Sequence, residues 1–124
     1  MKRRIALAAI VILAAASVGS NAAPAEKFQK LTGAQIRAKI AGMELTDEIH
    51  WREFYARSGS VTGSSMGRKR TGKWRVEKDQ LCVEYEKDPP AKCYDVWASG
   101  KKFELRGEGL LPLAGVIEQP SGRK

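Results

Sequence analysis

Histidine and cysteine are scarce in this sequence, with one His and two Cys among 124 residues. That leaves little material for a metal centre, since zinc and iron sites of the common kind draw three or four such ligands. Long apolar runs are nearly absent as well. The only one, Ile5–Ala16, falls short of the ~20 residues a spanning helix needs, and no cysteine follows it to carry a lipoprotein anchor. There is no internal repeat and no low-complexity segment. Acid is outnumbered, with 14 Asp and Glu against 22 Lys and Arg. Hydrophobic residues at 43% and charged residues at 29% exclude wholesale disorder, collagen-like sequence and coiled coil. The length suits one small domain.

What is present begins with an address. Met1-Lys2-Arg3-Arg4 is a basic head, Ile5–Ala16 an uncharged apolar stretch, and small residues lead to Ser20-Asn21-Ala22-Ala23-Pro24-Ala25. This three-part layout predicts a secretory signal peptide over residues 1–22, cut near Ala22/Ala23 or after Ala25. The residues around Arg3-Arg4 fit the twin-arginine pattern poorly, so the expected route is Sec, to the periplasm or outside. Residues 23–124 would then form a single β-rich domain without a membrane segment. Cleavage removes Lys2, Arg3 and Arg4 and no acid, taking 22 basic residues to 19 against 14 acidic. A net charge of about +5 favours anionic partners through long-range attraction.

A chain of this size buries a modest core, and export delivers Cys82 and Cys93 to an oxidising compartment, where they are expected to form a structural disulfide. The spacing is not the Cys-x-x-Cys of redox catalysis.

Thr32 followed by Gln35 has capping-box spacing, and Ile36, Ile40 and Met43 fall on one helical stripe. A short helix is predicted over 33–41, ended by Gly42. From Ile49 onward the period becomes two, with turns at short intervals, a β-meander pattern. Residues 49–56 and 60–66 read as a hairpin around Arg57-Ser58-Gly59. A turn at Lys78-Asp79 pairs Val76 with Leu81 and Trp74 with Val83, and Cys82 opposite Cys93 places Leu81 opposite Tyr94. A turn at Ser99-Gly100 pairs Val96 with Phe103 and Tyr94 with Leu105. Asp88-Pro89-Pro90-Ala91 reads as a loop, and Val116-Ile117 as a short closing strand. The fold class expected is mainly β (α+β), with one short helix on a curved antiparallel meander or half-barrel of about six or seven strands.

The most basic stretch is Gly67–Arg75, where Arg68, Lys69, Arg70, Lys73 and Arg75 are candidates for binding an anion. The alternative is a solvated hairpin turn whose charges guard a sheet edge. Gly67-x-x-x-x-Gly72-Lys73 stops short of a P-loop, because Trp74 stands where Ser or Thr is needed. His50 has no evident nucleophile near it. Glu84 and Glu86 alternate on the polar face of the Cys82 strand. Trp74, Tyr85, Tyr94 and Phe103 line a pocket if the sheet encloses one, or else fill the core.

The capped helix, then Gly72-Lys73-Trp74-Arg75-Val76, Leu81-Cys82, Cys93-Tyr94 and Ser99-Gly100, resembles small exported proteobacterial proteins of unknown function. That resemblance implies a periplasmic address and a β-rich fold, and no activity. Gly72-x-Trp74 also resembles the Gly-x-Trp of lipocalins, though here it sits mid-chain. In size and sheet content the chain is similar to periplasmic lysozyme inhibitors, whose target is basic like this chain.

The resulting expectation is a monomeric, non-enzymatic periplasmic or secreted binding protein, without cofactor or metal. Its basic turn suits an anionic envelope polymer, a lipid head group or an acidic protein, with nucleic acid not expected. Alternatives are a small calycin-like carrier of an apolar ligand or an inhibitor of an envelope enzyme.

Overall fold

The structure, a computed structural model, describes residues 27–120. The segment expected to be the signal peptide lies outside these residues.

The helix starts as its capping residues dictate. Thr32 Oγ1 accepts from the Gln35 amide at 3.3 Å, and Gln35 Oε1 accepts from the Thr32 amide at 2.9 Å. Helix α1 (Gly33–Ile40) buries Ile36 and Ile40 completely and ends before Gly42, whose φ of +79° needs a glycine. Met43, expected on the helical stripe, instead opens strand β2 (Met43–Thr46) and reaches the same core from there.

The remaining strands are β1 (Gln29–Lys30), β3 (Trp51–Tyr55), β4 (Ser60–Ser65), β5 (Arg68–Glu77), β6 (Gln80–Tyr85), β7 (Asp88–Ser99), β8 (Lys102–Arg106) and β9 (Leu113–Glu118). From β2 to β9 each strand pairs antiparallel with the next, and β9 pairs back onto β2 through Leu45–Ile117 and its neighbours. The result is a closed eight-strand barrel, with β1 added along β7. These nine strands are two more than the seven at the upper end of the expected meander. The additions are β1 and β2, both too short to show a period of their own and held by the strands on either side.

Two registers match expectation. Lys78 and Asp79, both with positive φ, make the β5–β6 turn, with Val76 opposite Leu81 and Trp74 opposite Val83. Cys82 stands opposite Cys93 and is bonded to it, with Leu81 opposite Tyr94. Two readings are corrected. The β7–β8 turn is Gly100-Lys101, so Val96 faces Leu105 and Ala98 faces Phe103. Moving a turn by one residue shifts each partner by two, which leaves every side chain on its own face and hides the error from pattern reading. Asp88–Ala91 is not a loop but the start of β7. The chain turns earlier, at Glu86-Lys87, and the register shifts between Tyr85–Asp88 and Val83–Lys92, so Pro89, Pro90 and Ala91 bulge out of the pairing opposite Glu84.

In the ring of eight strands β2 and β6 lie diametrically opposite. Helix α1 packs on β2, β5 and β6, so it crosses the end of the barrel, and its eight residues span about 12 Å. Asp79 in the β5–β6 turn ties it down by accepting from the Gly33 amide at 2.6 Å, and at the far side the Gly42 amide donates to the Tyr55 carbonyl at 2.7 Å. One end is therefore shut by an apolar plug.

Candidate functional site at the open end of the barrel

In an up-and-down barrel successive connections alternate between the two ends. Helix α1 and the turns 56–59, 78–79 and 100–101 occupy one end. The connections 47–50, 66–67, 86–87 and 107–112 ring the other, which no helix among the described residues covers.

Strand alternation decides what faces inward there. On β3 the inward set is Trp51, Glu53 and Tyr55, and the register carries it through Gly63 on β4 to Arg70 on β5. On β6 and β7 the corresponding positions are Tyr85, Lys92 and Tyr94. Glu53 accepts from Tyr55 Oη at 2.8 Å and, in a shorter bond, from Tyr85 Oη. Gly63 makes the second bond feasible, because a Cβ there would lie 2.7 Å from the Tyr85 hydroxyl. Gly72 is needed for closeness too, since its Cβ would fall 2.1 Å from the Glu84 carbonyl oxygen. That accounts for the glycine of Gly72-x-Trp74 without any ligand.

Burial, reinforced by the Glu53 charge, pushes the Tyr55 and Tyr85 phenols well above their ordinary range, and burial raises Tyr94 as well. The phenols of Tyr55 and Tyr85 thus remain donors to Glu53. Above them the Arg70 guanidinium stacks 3.8 Å from the Tyr85 ring centroid, with one nitrogen 3.9 Å from Asp88. Lys92 Nζ donates to the same Asp88 carboxylate at 2.9 Å. The Lys92 hydrogen bond and charge, with a smaller contribution from Arg70, hold the Asp88 carboxyl below its usual range. Two cations therefore share one carboxylate at the edge of a pocket of about 180 Å³, completed by Val83, Tyr85 and Tyr94. On the other side of the Arg70–Tyr85 pair lies a pocket of about 140 Å³, bounded by Trp51, Glu53, Gly63 and Leu113.

The five cations expected in one turn are distributed differently. All belong to strand β5, and the turn itself is Met66-Gly67. Only Arg70 joins the inward cluster, with Arg68 and Lys69 at the rim. Lys73 stands opposite Glu84 on the outer face, and Arg75 Nε donates to Glu77 at 2.5 Å. Lys73, Arg75, Glu84 and Glu86 line a groove of about 890 Å³ outside the barrel, where the charges balance. The four aromatics divide as well. Trp74 and Phe103 pack inside, Trp74 edge-on to Tyr55 at 5.7 Å and donating Nε1–H to the Ala56 carbonyl, while Tyr85 and Tyr94 border the open-end pocket. His50 lies 2.9 Å from Asp47, whose other oxygen accepts from the amides of Ile49, His50 and Trp51. Although desolvation opposes them, these amides keep Asp47 ionised far below its usual range, so the pair shapes the β2–β3 turn.

Glu53, Asp88 and Lys92 escaped sequence reading. The signal for Glu53 is its place midway between Trp51 and Tyr55, an acid on an apolar stripe. Among the described residues no cluster of three or more His, Cys, Asp or Glu side chains is placed to hold a metal ion, and no helix is long and apolar enough to cross a membrane. No known family, curated protein or solved structure matches this chain.

Proposed function

We propose that this is a non-enzymatic, exported binding protein that takes the anionic group of an envelope component at the open end of its barrel. The observation that carries the reading is the convergence of Arg70 and Lys92 on one pocket with a single carboxylate, Asp88, between them. A disulfide and the lack of a membrane-spanning helix among the described residues fit export. A carrier of apolar ligands has less support, because Leu45, Val61, Val96, Phe103 and Leu105, which would line its cavity, form the buried core.

Titration calorimetry with glycerol phosphate tests the proposal. Binding is expected to weaken with salt, and the double variant Arg70→Ala/Lys92→Ala to lose at least tenfold, since each charge-assisted hydrogen bond contributes about 1.5–3 kcal/mol. The variant Lys73→Ala/Arg75→Ala should bind as the parent does. Equal binding by parent and Arg70→Ala/Lys92→Ala would overturn the proposal.

A further inference from the structure

The exposed large apolar side chains among the described residues are Ile49, Met66 and Leu111, at 81%, 76% and 87% exposure. They lie on three different connections, 47–50, 66–67 and 107–112, and all three belong to the open end. Single exposed apolar residues are ordinary on a protein surface. Here, however, the helix-capped end carries none, and the open end carries one on each of three loops.

Each side chain is more than three-quarters exposed, so none is packed away against another, although the Ile49 and Met66 connections adjoin through the Met66 amide and the His50 carbonyl. A protein interface needs a packed apolar centre, which three exposed side chains set among charged loop residues do not supply. A fluid phase suits them better, because each tip can insert independently. The charges say which fluid phase. Arg68, Lys69 and Arg70 follow Met66 after a single glycine, with Lys87 on the next turn and Lys92 inside it. The rim is uneven: Glu86 and Asp88 flank Lys87, the Ile49 loop carries Asp47 and Glu48, and the Leu111 loop carries Glu108. Asp88 is occupied by Lys92, and Asp47 by backbone amides and His50. The most basic connection is thus the β4–β5 hairpin, with the β2–β3 loop and its two acids beside it, where the Met66 amide donates to the His50 carbonyl at 3.0 Å, and the β8–β9 loop opposite it.

We propose that the open end docks on an anionic lipid bilayer, tilted so that the Met66 tip enters first and the phosphate of a lipid head group reaches Arg70 and Lys92. This deepens the proposed function by naming where its anion comes from, and it rests on that reading.

The test is cosedimentation of the oxidised chain from Ala23, which keeps every described residue, with vesicles of phosphatidylcholine alone or mixed with phosphatidylglycerol. Binding only to the mixed vesicles is expected, falling as salt rises. Met66→Ser should weaken it about tenfold, and Ile49→Ser or Leu111→Ser less, because full burial of one such side chain is worth roughly a tenfold change or more. All three sites are exposed, so thermal melting and glycerol phosphate binding should stay at parental values. Mixed-vesicle binding that Met66→Ser leaves unchanged would overturn the docking, as would equal binding to both vesicle types. Glycerol phosphate bound through Arg70 and Lys92 without any vesicle binding would overturn the docking while leaving the proposed function standing. Vesicle binding lost in Met66→Ser but indifferent to Arg70→Ala/Lys92→Ala would remove the anion site and with it the head-group contact.

Discussion

The two ends of this barrel are built by the same rule and filled by opposite chemistry. At the helix-capped end the inward positions meet Ile36 and Ile40, both without solvent exposure, and the polar groups nearby are spent on backbone ties such as Asp79 to Gly33. At the open end the same alternation turns Glu53, Arg70, Tyr85 and Lys92 inward, where Tyr85 donates to Glu53, Arg70 stacks on Tyr85 and Lys92 donates to Asp88. A strand does not discriminate between its ends. What separates them is whether a capping segment excludes water, which rewards aliphatic side chains on one side and permits charged ones on the other. Stability is expected to concentrate in the first region and recognition in the second.

The contrast is broken most directly at Ile40. Replacing it by Ala should cost about 2–5 kcal/mol in chemical denaturation, with the proposed binding of glycerol phosphate unchanged under native conditions. A loss below 1 kcal/mol would mean that the helix is not the plug described here. Next in size is the disulfide. Reducing the bond, which closes a loop with a sequence separation of 11, should lower stability by about 3 kcal/mol, seen as a lower denaturation midpoint in the Cys82→Ala/Cys93→Ala variant.

The third prediction concerns pH. The Tyr55 and Tyr85 phenols ionise at higher pH in the folded chain than their ordinary value of 10.0. The folded state therefore holds protons that the unfolded state releases, so their contribution is complete below about pH 10 and lost as pH rises beyond it. Alkaline unfolding should be steep in the parent and shallower in Tyr55→Phe/Tyr85→Phe; parallel curves would count against the buried phenol pair. The smallest expected effect is on stability at Arg70. Arg70→Ala should shift the melting free energy by less than about 0.5 kcal/mol while weakening anion binding, because its charge pair is exposed.

Much of the fold was legible because its signals are local. The Thr32–Gln35 box, the Lys78-Asp79 turn and the Cys82–Cys93 pairing each rest on residues whose spacing has few structural solutions. What stayed hidden depends on distant partners. Strand β2 has four residues and acquires its identity from β3 and β9. The candidate site was half legible. Arg70 stood in the basic run, but that run alternates faces on a strand, and nothing local says which of its charges turn inward. Lys92 and Asp88 were hidden by a loop reading of the Pro89-Pro90 segment. The signal peptide reading concerns residues the structure does not describe.

The seam between β2 and β9 also sets a time. Every other pairing around the ring joins consecutive strands and can form as an isolated hairpin, in about 1–10 μs. The seam joins the two ends of the meander, and Arg52, bridging to Glu44 and Glu118, reaches across 66 residues of chain to do so. Loop-closure entropy makes such a contact late. The barrel should therefore assemble as a curling ribbon that locks last at Leu45 and Ile117. Substitutions there are expected to accelerate unfolding while leaving the folding rate nearly untouched, whereas changes in the β5–β6 turn should slow folding itself.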